Sequence, residues 1–447
     1  MKLDLQYIIP GPTPGSILVD ADGRLPMRLV DRNADEAAVV AATTDLRERL
    51  GLASPILETH PKWEGVADDE PIPTLVTTEP APADWTPPAG FTFGATPVSL
   101  DAVPPPLLPR AMELLDELRT GPPPPALRPR WARPGWNARA VAWMTRALND
   151  AGRPLLEEPQ PFGHRGISAL LRGRTAAGDV FFKAVFPPFH SEPVVTRLLA
   201  ERFPESVPRV LAVEPDEGWL VVEDVAAPWV GDLPTDQRVA GLVAGVASIV
   251  RMERALVDDL AVFVDAGCPV RPIANVAVEL DAALGPAGVA HVEGPVSDER
   301  RARATAATGA AVDRVASLGF PTTLVHGDFH AGNVAFADGR AVIIDWSDAA
   351  IGIPTIDLVT WLAWSRDSPD QQQVAIDAWI YAWAGPTDPA AVRAAIDDIL
   401  IVGAAYQVVS YDGIVRALEP ATRYTMSDGA RHYLERLEER LGPGIAT

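Results

Sequence analysis

Three oxygen-bearing side chains, Asp328, Asn333 and Asp345, stand in a stretch whose spacing would bring them together. Leu324-Val-His-Gly-Asp-Phe-His-Ala-Gly-Asn333 runs into Val334-Ala-Phe-Ala337, then Asp338-Gly339, then Ala341-Val-Ile-Ile344 and Asp345. Asp-Gly between two apolar runs is a two-residue hairpin turn, since both positions tolerate positive φ. Pairing of residue 337 with 340 makes 333 pair with 344. Asn333 and Asp345 then lie side by side at the open end of the hairpin. An amide and a carboxylate there suit Mg²⁺, which takes one or two oxygen ligands from protein and the rest from phosphate and water. Asp328 lies on the loop entering the hairpin. From there its carboxylate can face a phosphate under transfer and accept the proton of an attacking hydroxyl.

The same stretch admits another chemistry. His326, Asp328 and His330 alternate, and a strand would point all three one way, as in a metallohydrolase cluster. Gly327 and Gly332 favour a loop instead, and no second histidine cluster supplies further ligands. His330 is therefore expected to be a loop residue near the site.

The elements around the hairpin change character along the chain. Residues 137–149 read as a helix with Val141, Met144 and Leu148 on one face. Strands at 167–171 and 180–185 flank a turn at 176–178. A helix at 193–202 and strands at 210–213 and 219–222 follow. From Pro234 onward the pattern is mostly helical, apart from 323–344. The most apolar stretch, 239–250, ends at Arg251, is too short to span a bilayer and reads as a buried helix. Lys183, inside the apolar run Asp179-Val-Phe-Phe-Lys183-Ala, needs a partner or must snorkel to solvent. Glu192 is the expected partner, with Glu201 the alternative. Ser191 can cap the helix that Glu192 opens, and Pro193 is tolerated in its first turn.

His326-Gly327-Asp328-Phe-His-Ala-Gly-Asn333 followed by Ile-Ile-Asp345-Trp346 resembles the motif pair of aminoglycoside phosphotransferases and related small-molecule kinases. It is the counterpart of the protein-kinase His-Arg-Asp…Asn and Asp-Phe-Gly motifs. The resemblance covers about residues 160–435. It implies that Asp328 is the catalytic base, that Asn333 and Asp345 hold Mg²⁺, and that His326 shapes the loop. Trp346 stands where protein kinases carry Phe. Asp357, in Gly352-Ile-Pro-Thr-Ile-Asp357-Leu, matches a further acidic position and is expected to brace the catalytic loop from a helix start. Lys183, held by Glu192, would contact the α/β-phosphates. Trp219-Leu-Val-Val222-Glu-Asp-Val225 resembles the strand and hinge that hold adenine, with backbone groups of Glu223 and Val225 bonding the base and Val222 lining the pocket. Gly166-Ile-Ser168-Ala169 lies where a phosphate-covering loop belongs, without a full Gly-x-Gly-x-x-Gly. Ser168 and nearby N–H groups there would reach phosphate.

The resemblance implies an α+β, two-lobed protein-kinase-like fold with a small β-rich N-lobe at 137–225 and a helical C-lobe at 226–447. It implies ATP or GTP and Mg²⁺ as cofactors and a hydroxylated small molecule as acceptor. The family includes kinases for aminoglycosides, other antibiotics, amino sugars, choline and homoserine, and no residue chooses among them. Tyr406, Tyr411 and Asp412 are candidate pocket walls. Two other readings stay open: a kinase-fold binding or regulatory protein that does not turn over, and pyrophosphohydrolase chemistry near the N-terminus.

That last reading comes from residues 1–121, expected as a separate small α+β domain joined by a proline-rich linker at 122–136. Strands at 16–20 and 25–30 around Asp22-Gly23, a helix at 34–50 stopped by Gly51, strands near Ile56, 74–78 and 91–93, and a helix at 107–118 compose it. Pro122 to Pro125, Pro129 and Pro134 cannot lie in a helix interior or a central strand. The order of strand, helix and strand resembles a Nudix domain. Glu36, Glu48 and Gly51-Leu52 match its box, whereas Val30, Thr44, Asp45 and Arg49 break it. A Nudix helix stacks carboxylates around Mg²⁺, so the broken cluster points to a non-catalytic domain.

Composition sets the outer limits. The 447 residues exceed one ordinary core. A net charge of −22 argues against a nucleic-acid partner, since nothing would neutralise a run of phosphates. The acidic surface aids solubility and would also favour cationic substrates. The single Cys268 permits no internal disulfide, suits a reducing cytosol and reads as core filler. The opening MKLDLQYIIPGP has no long apolar run behind a basic start, so neither a signal peptide nor a membrane partner is expected, and the location expected is cytoplasmic.

Overall fold

The computed structural model describes residues 1–32, 37–62, 66–67, 70–95, 98–288, 296–363 and 367–441. They divide into two compact units. One comprises Met1–Phe186 with Leu418–Thr422, and the other comprises Pro187–Ala417 with Arg423 onward.

The first unit opens with β1 (Lys2–Ile8), β2 (Ser16–Asp20), β3 (Met27–Asp31), α1 (Ala38–Leu50), β4 (Ile56–Pro61), β5 (Ile72–Thr78), β6 (Phe91–Ala95) and α2 (Leu108–Thr120). A four-stranded sheet runs in the order β3-β1-β5-β4, with β1 and β5 parallel. β2 and β6 form a separate antiparallel pair. The strands at 16–20 and 27–31 are therefore not a hairpin, despite the turn at Asp22-Gly23. The Asp20 carboxylate accepts the N–H groups of Asp22 and Arg24, and the chain then leaves for another sheet. β1 was not among the expected strands. Leu3, Leu5 and Tyr7 pack with α1, while Ile8 packs with α2 on the other side. A strand buried on both faces loses the alternation by which strands are read. Gly51 (φ 61°) ends α1 in the left-handed conformation, as a C-terminal glycine should. Glu36 lies outside the described residues. Asp45 on α1 is buried and committed to Tyr7 and Arg49, at 2.8 and 3.0 Å.

The unit continues with α3 (Trp136–Asp150) and the antiparallel strands β7 (Gln160–His164), β8 (Ser168–Thr175) and β9 (Gly178–Val185). Ala140, Met144 and Leu148 form the buried face of α3. The proline-rich stretch is packed down. Arg128 and Trp131 within it are buried, and Arg128 pairs with Glu117 and Glu419.

The second unit holds α4 (Glu192–Arg202), β10 (Val210–Glu214), β11 (Trp219–Glu223), α5 (Thr235–Leu256), α6 (Ala261–Asp265), α7 (Val276–Leu284) and α8 (Asp298–Ala316). After them come β12 (Thr323–Val325), β13 (Val334–Ala337), β14 (Arg340–Ile343), β15 (Ala350–Gly352) and α9 (Thr355–Ala363). The chain closes with α10 (Pro369–Ala382), α11 (Pro389–Ala394), α12 (Ile396–Ala417) and α13 (Tyr424–Leu441). Ser191 precedes α4 without a side-chain cap bond. It sits in a right-handed helical conformation (φ −73°, ψ −20°) rather than the extended one that aims a capping hydroxyl back. Leu242, Val246 and Ile249 of α5 share one core with Ile399, Val402 and Ala405 of α12. Among the described residues, the helix long and apolar enough to cross a membrane is α12, not the 239–250 stretch, and 78% of its apolar window is buried in the protein. Gln407, Ser410 and Asp412 break its apolar run in the sequence but lie buried in the fold. Cys268 is buried, its thiol pushed up to about 12 by desolvation, as core filler should be.

Candidate active site

The loop 326–333 is fixed at both ends by short sheets. β12 pairs antiparallel with β15, Val325 opposite Ala350. β13 pairs with β14 in the register Val334↔Ile343 and Ala337↔Arg340, turning through Asp338 (φ 52°) and Gly339 (φ 76°). The Ile344 N–H donates to the Asn333 carbonyl at 3.0 Å. The register is the one that sets Asn333 beside Ile344 and brings Asp345 next to it at the open end.

Each site residue has a local cause for its pose. The Asn333 side-chain NH₂ donates to the Asp328 carbonyl at 3.0 Å and lies 3.5 Å from Asp328 Oδ2. With its nitrogen so used, the amide oxygen is the atom that can serve as a ligand. Asp345 adopts φ 63°, ψ 65°, a left-handed conformation unfavourable for a residue with a Cβ, and its Oδ1 accepts from Ser347. Such backbone strain persists where surrounding structure enforces it, and it often sits at functional sites. Asp328 is partly exposed, and its Oδ2 lies 3.6 Å from His330 Nε2. Burial alone would lower the His330 pKa, but the bond to Asp328 outweighs it and raises it.

His326 is fully buried and ties the loop to the hairpin. Its Nε2 lies 2.9 Å from the Ile344 carbonyl, and its Nδ1 accepts from the Asp328 N–H at 3.3 Å. A carbonyl only accepts, so Nε2 carries the proton and the ring is the neutral tautomer. The ring also packs on Trp346, 4.6 Å between centroids. Gly327 has φ 83°, and a Cβ there would meet the Asp348 carbonyl oxygen at 2.3 Å, so only glycine fits. Asp357, in the first turn of α9, accepts the N–H groups of His326 and Gly327 at 2.7 and 2.8 Å. It braces the loop from a helix start. Burial raises its pKa even so.

Several contacts were invisible in the sequence. Gln407 of α12 donates to the Gly327 carbonyl at 2.6 Å. Phe329 stacks on Trp361 at 4.4 Å. The Tyr411 hydroxyl is pushed up by burial first, then by the charges of Asp328 and Asp348. Its ring occupies the space a Cβ at Gly429 would need, 2.1 Å away. These partners lie far away in sequence, and only Tyr411 carried a signal, as a tyrosine on a helix near the expected pocket.

The remaining site residues lie on separate elements. Lys183 is on β9 opposite Leu170, half-buried, between the buried Phe182 and Ala184. Ser168 is the first residue of β8, buried and opposite Val185, rather than in the loop at 165–167. Glu192 opens α4 and is buried. Glu223 ends β11, and its N–H donates to the Arg209 carbonyl at 3.0 Å. Val225 follows, half-buried, before Ala226 at φ 52°.

A sequence profile of the phosphotransferase enzyme family matches residues 158–394, more than half of the chain and all of the loop-and-hairpin constellation. The chain belongs to that family. Among solved structures, its fold is similar to a choline/ethanolamine kinase family protein from Mesorhizobium loti (TM-score 0.51, 16% identity, 69% of this chain and 96% of that one). Choline kinase LicA from Streptococcus pneumoniae aligns at TM-score 0.47, with 12% identity over 67% of this chain and 98% of its own. Macrolide 2′-phosphotransferase type I aligns at 0.45, with 17% identity over 64% and 96%. No curated protein matches the chain. The mixed α+β, kinase-like fold expected of the phosphotransferase family is the fold observed.

Proposed function

We propose that this chain is a nucleotide- and Mg²⁺-dependent phosphotransferase that moves the γ-phosphoryl group of ATP or GTP to a hydroxyl of a small molecule. One observation carries the reading: the β13–β14 register brings Asn333 and Asp345 to the end of the loop that holds Asp328. Family membership supplies the reaction class.

The donor set fits a hard cation. Asn333 offers the amide oxygen left by its bond to Asp328, and Asp345 offers a carboxylate, which is the ligand type Mg²⁺ prefers. Bound there, Mg²⁺ would neutralise charge on the transferring phosphates. The chain's own residues do the rest. Asp328 accepts the proton of the acceptor hydroxyl as its oxygen attacks phosphorus. His326 and Asp357 hold the loop so that this carboxylate keeps its place. Lys183 contributes positive charge toward the nucleotide phosphates, and Glu192 is the carboxylate expected to hold that lysine. Glu223 and Val225 present backbone groups to the base. Because the Glu223 N–H is already engaged, its carbonyl is the acceptor for the base. Ser168, the first residue of β8, would turn its hydroxyl toward the phosphates.

The acceptor is proposed to be an aminoglycoside or other antibiotic, an amino sugar or a related hydroxylated metabolite. A thermal-shift screen of such compounds with Mg²⁺ and a non-hydrolysable nucleotide identifies it. Asp328→Asn is then expected to slow transfer by roughly 10²–10⁴-fold with nucleotide affinity nearly intact, because the amide cannot accept the proton. Asp345→Asn is expected to weaken Mg²⁺-dependent nucleotide binding as well as turnover. Wild-type turnover in a folded Asp328→Asn protein would overturn the mechanism. Nucleotide binding without transfer across the panel would favour a binding or regulatory role.

A further inference from the structure

The second unit buries a carboxyl group that the mechanism above does not use. Glu253, near the C-terminal end of α5, is 1% exposed. Among the described residues, neither of its carboxyl oxygens accepts a hydrogen bond of full geometry. Its side-chain neighbour is Asp357, also 1% exposed, whose two oxygens already accept the backbone N–H groups of His326 and Gly327. The same turn of α5 is pinned to β12, since Thr323 Oγ1 donates to the Glu253 carbonyl at 2.6 Å and β12 leads directly into His326.

Two adjoining carboxyl groups without a cation cannot both ionise in a low-dielectric interior. One must keep a proton, and the backbone bonds decide which. Asp357 receives two N–H donors, which favour its charged form, whereas Glu253 has no donor of that quality. We infer that Glu253 is a protonated positioning residue whose carboxyl proton is donated to Asp357, so that α5, α9 and the loop carrying Asp328 are locked through one shared proton. Desolvation first, then the charge of Asp357, raises the Glu253 pKa well above the ordinary carboxyl range.

The groups facing Glu253 are few. α9 presents Asp357, which the loop meets through the His326 N–H. β12 presents the uncharged Thr323. The chain after α10 presents the Trp383 indole. Arg254, next along α5, lies over the Trp383 ring at 5.9 Å and donates to the Ala382 carbonyl at 2.7 Å. The cation nearest in sequence is thus turned to another task.

This inference rests on the reading of residues 326–333 as the catalytic loop, but its test needs no phosphoryl transfer, so the two can fail separately. Infrared spectra of the full-length protein at neutral pH should show a protonated-carboxyl band that shifts when glutamate is ¹³C-labelled. Absence of such a glutamate band in wild type overturns the proposal, whatever the variants do. Glu253→Gln keeps a neutral donor toward Asp357 and removes the titration, so the band should vanish. The sign of the pH dependence follows from linkage. A carboxyl whose folded pKa is raised stabilises below its unfolded pKa, near 4.3, and loses that stability as pH rises toward the folded pKa. The melting temperature of Glu253→Gln should therefore gain on wild type by roughly 2–5 °C per pH unit above about pH 5. Glu253→Ala, which cannot donate to Asp357, should melt below Glu253→Gln at every pH. Parallel pH profiles for wild type and Glu253→Gln would overturn the shared proton.

Discussion

Each unit of this chain buries a cluster of acids, and the two clusters have opposite electrostatic fates. In the first unit, Glu58 and Glu419 meet Arg110 and Arg128. Arg110 lies 2.7 Å from Glu58 and 3.3 Å from Glu419, and Arg128 lies 2.7 Å from Glu419 and 2.5 Å from Glu117. Burial alone would raise the Glu58 pKa, but the bonds and charges of His60 and Arg110 outweigh it and hold the carboxyl well below the usual range. In the second unit, Glu253 and Asp357 are both buried; Asp357 accepts two backbone N–H groups, Glu253 adjoins Asp357, and both are raised. Burial sets the stakes, and the presence of a cation sets the sign. The charged cluster lies with residues 418–422 in the first unit, and the second pair lies under the loop 326–333 through Asp357.

The largest expected effect comes from breaking the charged cluster. Arg110→Ala leaves Glu58 and Glu419 facing each other's neighbourhood with one guanidinium fewer. An uncompensated buried charge costs about 3–5 kcal/mol. Calorimetry of the whole protein should show the transition of the first unit falling well below that of wild type. A change under about 1 kcal/mol would mean that water reaches the cluster and that the contrast with Glu253 is weaker than drawn here.

The next effect sharpens the contrast through pH. Glu58 is the depressed case: its folded pKa lies below its unfolded value, so its contribution is present above about pH 4.3 and is lost as pH falls below that. Removing the titrating group should flatten the acid limb of stability by up to about 1.4 kcal/mol per pH unit. Melting temperatures of Glu58→Gln and wild type between pH 5 and 2 test this. Wild type should lose its advantage toward low pH, whereas against Glu253→Gln it loses ground toward high pH. Slopes of the same sign in both comparisons would refute the opposition between the clusters.

The two clusters also differ in how far the sequence revealed them. The loop and hairpin were legible because their chemistry is local. Asp338-Gly339 fixes the turn, the turn fixes the register, and the register places Asn333 against Ile344 and Asp345. Asp357 was legible as a helix-start carboxylate, and the hydrogen bonds place it under the loop. Glu253 and Glu419 carried no signal. Glu253 sits inside α5 and Glu419 in the link after α12, both in stretches of ordinary composition, and their partners come from far along the chain, 309 residues away for Arg110 and Glu419. β1 was missed because burial on both faces erases alternation, and the 16–20 and 27–31 strands were joined wrongly because a turn signal does not say which strand pairs next. Local chemistry survives in sequence patterns, whereas the pairing of distant buried charges is decided by packing.

The smallest expected effect is a control on burial itself. Arg340, on β14 beside the hairpin turn, lies 2.5 Å from Glu205, but the two side chains are 65% and 67% exposed. In distance this pair matches Arg110–Glu58, although Arg110 grips Glu58 through two nitrogens and Arg340 holds Glu205 through one. It differs in solvent. Water screens the attraction, already solvates both groups, and leaves little to gain against the entropy of holding two long side chains. Arg340→Ala should therefore shift stability by less than about 0.5 kcal/mol, measured by denaturant melts of the whole protein. It should also leave phosphoryl transfer near wild type, because Asp338 and Gly339 set the turn and the β13–β14 backbone pairing, not Arg340, sets the register of Asn333. A loss approaching that of Arg110→Ala would mean that short ion-pair geometry alone, without burial, governs stability in this protein. The opposite behaviour of the two buried clusters would then need another cause.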